Sequence, residues 1–172
     1  MKIGVPSKSD GQGEWELCPA GTYPAELVDV IDLGEVEQPV YGKPGEMKKE
    51  HQAKFAFQIA ERMSTGKPYL FTTWGMKVSL HEKAKMRKLL EALNGKAFNE
   101  GEEIDADAFI GCNCLLNVIH KKSADGMKVY ANIGGILAAM KGVPPLMSEG
   151  YVRVQDRPKD AQAPDVDSDI PF

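Results

Sequence analysis

Ala53-Lys54-Phe55-Ala56-Phe57-Gln58-Ile59-Ala60 is the stretch on which the fold turns. Strand side chains alternate between two faces, so Phe55, Phe57 and Ile59 fall on one side and Lys54, Ala56, Gln58 and Ala60 on the other. This period of two predicts a strand through Arg62 with an apolar core face and an outward face. Downstream, Ser64-Thr65-Gly66-Lys67-Pro68 reads as a turn. Residues 69–74, dense in aromatic and β-branched side chains, read as a third strand. Upstream, residues 22–33 form a long first strand opened by Gly21, with Glu26, Asp29 and Asp32 interleaved among apolar residues. Between the first two strands, residues 34–52 hold Pro39, Gly42, Pro44 and Gly45 and read as a long mobile loop.

After the third strand the period changes. Leu80, Ala84, Met86, Leu89, Leu90 and Leu93 keep a helical spacing. Ser79 and Glu82 fit a capping box at the start, and Asn94-Gly95 is a stop. Residues 105–110 suggest a short helical turn. Residues 112–120 and 128–136 read as a fourth and fifth strand joined by the turn Ser123-Ala124-Asp125-Gly126. From Gly142 onward, prolines and sparse apolar residues predict disorder, with Val152 and Val154 suited to a small edge strand first. The expected architecture is mainly β: a five-stranded OB-fold barrel with an α-helix between strands three and four. Residues 1–19 are expected as a flexible leader, 20–154 as the domain and 155–172 as a disordered acidic tail.

The 172 residues suffice for one domain and a tail. The longest apolar run, residues 136–140, is far too short for a membrane span, and no apolar stretch follows Lys2 as a secretory signal would require. A cytoplasmic protein without membrane contact is the expectation. Net charge is −4, but the charge is unevenly spread. Residues 160–172 carry four acids and no base; setting those aside leaves 21 acids against 21 bases, a neutral body.

The chain ends Asp165-Val166-Asp167-Ser168-Asp169-Ile170-Pro171-Phe172. Acids followed by Asp-Ile-Pro-Phe resemble the C-terminal tip of bacterial single-stranded DNA-binding proteins. The general plan, an OB-fold with an acidic tail, is also similar to that of phage replication proteins of the same role. The resemblance is close over the last four to eight residues; over residues 21–140 it covers only the order of elements. It implies that Phe172 anchors in an apolar pocket on replication or repair proteins, that Ile170 and Pro171 shape the approach, and that Asp165, Asp167 and Asp169 supply an electrostatic rim. A solvated acidic segment that orders on binding suits such a role. The body departs from the bacterial pattern at its N-terminus, its first loop and Thr72-Thr73-Trp74. A phage origin fits better, the bacterial tetramer does not carry over, and a homo-oligomer is left open.

Sequence-neutral binding of a single strand needs cations that follow phosphates and flat apolar faces on which bases stack. The first loop offers Tyr41, Lys43, Lys48, Lys49 and His51. The second and third strands offer Lys54, Arg62, Lys67, Tyr69, Phe71 and Trp74, and the last hairpin offers Lys121, Lys122, Lys128 and Tyr130. OB-folds bind across these regions. On the third strand either Tyr69, Phe71 and Thr73 or Leu70, Thr72 and Trp74 face outward, and Tyr69 and Phe71 are the favoured platforms. Lys83, Lys85, Arg87 and Lys88 read as a solvated helix face. A neutral body with an acidic tail also implies that the tail competes with DNA.

Catalysis is not expected. No phosphate-binding glycine loop is present, and no nucleophile–base pattern stands out. Cys112 and Cys114 lack the further paired ligands of a structural zinc site, and no metal or cofactor is expected. The rival readings are an OB-fold adaptor that docks proteins only and an RNA-binding module; salt-sensitive oligonucleotide binding and a DNA–RNA comparison separate them.

Overall fold

The alternating stretch does build a strand, and that strand runs well beyond its apolar centre. The computed structural model describes residues 16–158. Its elements are β1 (Gly21–Pro39), β2 (Met47–Arg62), β3 (Pro68–Thr72), β4 (Met76–Lys77), α1 (Lys85–Asn94), β5 (Asn113–Lys122) and β6 (Val129–Ala138). Short 3-10 turns occupy Ala106–Phe109 and Val154–Asp156. The fold is mainly β: one antiparallel sheet of six strands in the order β3-β2-β1-β5-β6, with β4 paired to β2 beside β3.

The expected five-stranded barrel needs correction in two respects. A sixth strand, β4, is present, and the hydrogen-bonded ladder does not close between β3 and β6. The two come within 8 Å of each other, but β3 has only five residues and begins with Pro68, which has no N–H to give. The sheet nevertheless curls around one core. Leu27, Phe55, Phe57, Ile59, Tyr69, Phe71, Leu116 and Val118 belong to a single buried cluster drawn from β1, β2, β3 and β5.

The mobile loop expected over residues 34–52 is instead a β-ribbon. β1 and β2 stay paired out to Pro39↔Met47, and only residues 40–46 form the tip. Cross-strand pairs such as Glu37↔Lys49 and Glu35↔His51 hold this exposed ribbon in register. Gly34 marks a β-bulge and not a stop: its positive φ of 65° suits glycine, and its N–H donates to Asp32 Oδ1 at 2.8 Å. A second bulge, at Val28, shifts the alternation so that Leu27 and Val30 lie opposite core residues of β2 while Asp29 lies opposite Ala56 on the outer face.

α1 begins at Lys85, later than the capping-box reading requires. Ser79 Oγ accepts from His81 N–H within a turn, and Ala84 caps the helix without a side-chain bond. The far end agrees with expectation, since Gly95 adopts the left-handed conformation and its N–H donates to Glu91 O. Met86, Leu89, Leu90 and Leu93, spaced at i, i+3, i+4 and i+7, enter the common core. Each contributes on the order of 1.5–3 kcal/mol by burial. The 3-10 turn over Ala106–Phe109 also agrees, with Asp105 accepting from Asp107 N–H. Among the described residues no helix is long and apolar enough to cross a membrane.

Candidate nucleic-acid interface

β2 is regular in register along the ribbon, so its even-numbered residues Lys48, Glu50, Gln52, Lys54, Ala56 and Gln58 share the face opposite the core. The sheet register sorts the sequence candidates along this frame. Tyr41, Lys43, Lys48 and Lys49 lie at the far end of the β1–β2 ribbon, where Tyr41 is fully exposed. Lys121, Lys122 and Tyr130 lie beyond the opposite end of β1, which pairs with β5 from Gly21↔Val118 onward. Lys121 and Tyr130 are direct cross-strand partners there, and Lys128 sits in the adjoining turn. Arg62 and Lys67 stand near the same end, at the turn between β2 and β3. The two groups are separated by the length of β1, whose 19 residues span about 60 Å along the strand. The candidates therefore do not converge on a pocket; they fall at two separate ends of the sheet.

Lys54 and Trp74 lie between these ends. Thr73 fixes Trp74 in place: its N–H donates to Phe55 O at 2.9 Å, and its hydroxyl accepts from Phe55 N–H at 3.0 Å. Trp74 follows that clamp and is 70% exposed. Tyr69 and Phe71, by contrast, are only 6% and 8% exposed. They share the inner face with Phe57, so neither ring is open to a base. The stacking assignment for these two is corrected to core packing, and the outward alternative, Leu70, Thr72 and Trp74, holds.

Several of the cations are already engaged. Lys43 pairs with Glu46 and Lys48 with Glu50, each at 3.7 Å. The first pair is exposed, so it is weak, screened by salt and yields readily to phosphate; in the second the Glu50 side chain is largely covered. Arg62 donates to Gly66 O and pairs with Glu149 at 3.0 Å.

Glu149 belongs to a feature absent from the sequence reading. Residues 146–156 form a strap across the outer face, in place of the disordered segment or the edge strand expected at Val152 and Val154. Leu146 N–H donates to Asn113 Oδ1 on β5. Ser148 donates to Glu26 on β1 through both its N–H and its hydroxyl. Glu149 exchanges two bonds with the Gln58 side chain on β2. The chain then returns to Asp29, whose carboxylate accepts from the Tyr151 hydroxyl at 2.9 Å, Arg153 Nε at 3.1 Å and Val154 N–H at 2.9 Å. Arg153 also reaches Asp107 at 3.4 Å. Asp29 is 1% exposed as a result. Burial, and then the bond to Asp29, push the Tyr151 hydroxyl up to about 12. The strap explains why Ala56 and Gln58, on the outward face by alternation, are buried. It confines the open part of that face to the region around Lys54, Trp74 and the ribbon.

Near the start of the described chain, Glu16 accepts from the Ser64 N–H and hydroxyl, and His120 Nε2 lies 2.7 Å from Cys18 O. Burial raises all three cysteine thiols, Cys114 to about 12. Among the described residues no group of three or more His, Cys, Asp or Glu is placed to hold a metal. The tail residues Asp165, Asp167, Asp169, Ile170, Pro171 and Phe172 lie outside the described residues. No protein-family model matches this chain, and no curated protein sequence matches it either.

Proposed function

We propose that this protein binds single-stranded DNA without sequence preference, and that its acidic terminus recruits proteins of replication, recombination or repair. The carrying observation is the part of the outer face that the strap leaves open, where Lys54, the exposed Trp74 and the ribbon carrying Lys48, Lys49 and the fully exposed Tyr41 lie. Such a surface suits a flexible polyanion with stacking bases better than a small ligand. Strand order adds support: with the two-residue β4 set aside, three consecutive strands, a helix and two more, with β5 returning to pair with β1, resemble the plan of an OB-fold left open at one seam. The tail, with its resemblance to the tips of bacterial single-stranded DNA-binding proteins, supports the recruiting role and a phage setting.

The test is a titration of a labelled oligo-dT and a duplex of equal length at several salt concentrations. Both the full chain and a chain ending at Pro158 are used. The single strand is expected to bind far more tightly, with a log–log salt slope of about −0.7 per phosphate neutralised. The shortened chain is expected to bind more tightly at low salt, because the acidic competitor is gone. Trp74→Ala is expected to cost about 1–3 kcal/mol of affinity, the range for one stacked base. Failure of the shortened chain to bind at low salt would leave the adaptor reading, and tighter binding of an RNA oligomer of the same sequence would favour the RNA module.

A further inference from the structure

Lys77, Lys83 and Lys85 are far from one another in character: one sits on a two-residue strand, one in a turn and one at the first position of a helix. The fold brings them to the wall of one cleft of about 480 Å³ between the β1–β2 ribbon and the β4–α1 segment. We propose that this cleft is a phosphate-binding subsite through which a nucleic-acid strand passes on its way along the outer face. The proposal rests on the single-strand-binding reading and adds to it a site made of residues outside the DNA-binding set expected from sequence.

The charge balance favours an anion. Among the described residues, no ion pair engages Lys77, Lys83 or Lys85. The lining has one carboxylate, Glu50, which already accepts from Gln52 Nε2 at 2.9 Å and pairs with Lys48 at 3.7 Å. Gathering three cations around one opening with no free counter-charge is unfavourable in isolation and is relieved by a bound polyanion. α1 starts at this wall with no acid in its first turn, so its positive end adds to the same field.

The wall is also built. Ser79 Oγ accepts from His81 N–H, and His81 Nδ1 accepts from Lys83 N–H at 3.4 Å, which shapes the turn carrying Lys83. Lys77 is held opposite Gln52 in the β2–β4 pairing. Gly75 packs so close to Gln52 that a β-carbon there would sit 2.5 Å from Gln52 Oε1. The basic cluster around the start of α1 is thus two different things. Arg87 is spent inside the fold, on Glu91 at 2.8 Å and on the carbonyls of Leu80 and Phe98, while Lys83 and Lys85 face the cleft. Position also fits, since the cleft opens on the even-numbered face of β2, through Glu50 and Gln52, next to Lys54.

The experiment compares the full-length protein with the triple variant Lys77→Gln/Lys83→Gln/Lys85→Gln and the control Lys88→Gln/Lys96→Gln, using oligo-dT across a salt series. Thermal unfolding checks that each variant keeps its fold. The triple variant is expected to bind at least tenfold more weakly at low salt, with a salt slope shallower by about 2, three phosphate contacts at about 0.7 each. The control is expected to match the unaltered protein. An unchanged slope in a triple variant of unchanged stability would overturn the subsite while leaving single-strand binding intact. Equal losses in the triple variant and the control would also overturn it, since they would reveal only a general charge effect. Absence of binding by the unaltered protein would defeat the underlying function, a distinguishable result.

Discussion

Asp29→Ala is expected to destabilise the fold by roughly 3 kcal/mol, the scale for removing one member of a buried, hydrogen-bonded charge pair. The substitution does more than break the pair with Arg153. It leaves the Tyr151 hydroxyl and the Val154 N–H without the acceptor that anchors the returning arm of the strap. A urea titration should therefore show a lower midpoint. Trypsin should cut faster after Arg153, because the strap opens before the body does. Tyrosine ionisation gives a third reading. With its ionisation raised to about 12 in the fold, Tyr151 stabilises fully below its ordinary value of 10 and loses that contribution as pH climbs toward 12. In Asp29→Ala one tyrosine should titrate at lower pH than in the unaltered protein. An unchanged urea midpoint would mean that the carboxylate does not hold the strap.

Phe71→Ala is expected to cost about 3–4 kcal/mol of stability, the range for deleting a buried aromatic ring. Phe71 belongs to the same cluster as Phe57 and Leu90, and its neighbours cannot collapse fully into the space it leaves. Any loss of DNA affinity should disappear when the comparison is made with folded protein only. Trp74→Ala should behave in the opposite way, with under about 1 kcal/mol of stability change and the larger effect on binding. Should Phe71→Ala keep full stability and lose affinity, the inward orientation of β3 is wrong.

Much of the sheet was legible from residues 53–60, because alternation against a core leaves a plain signature. The terminus of α1 was legible too, since Gly95 must take a left-handed conformation. The ribbon was not. Gly34, Pro39, Gly42 and Pro44 all carry turn chemistry, but Gly34 serves a bulge inside β1 while the others crowd the tip; local residue type does not tell these uses apart. The start of α1 was misplaced for a similar reason, as Ser79 caps a turn that precedes the helix. On β3 the sequence permits either face inward, and only pairing with Phe57 puts Phe71 in the core and leaves Trp74 outside. The strap was illegible because its partners are polar and remote. Glu26, Asp29 and Gln58 look like solvated strand positions until residues 146–154 arrive over them. Lys77 drew no attention, since two residues of strand give no pattern.

The distance between those partners bears on how the chain is made. Tyr151, Arg153 and Val154 meet Asp29 across 122 to 125 residues of sequence. On the ribosome, Asp29 on β1 emerges more than a hundred residues before the segment that seals the outer face. Until then the growing chain presents Glu26, Asp29 and Gln58 to water, a hydrated surface that resists sticking to its neighbours. Closure of the strap converts that soluble face into a dry, interlocked one as a late step of folding, and contacts of such long range are slow to form. Synthesis of the strap is in this way coupled to the final stability of the sheet. Truncations meant to remove only the acidic terminus should keep every residue through Arg157.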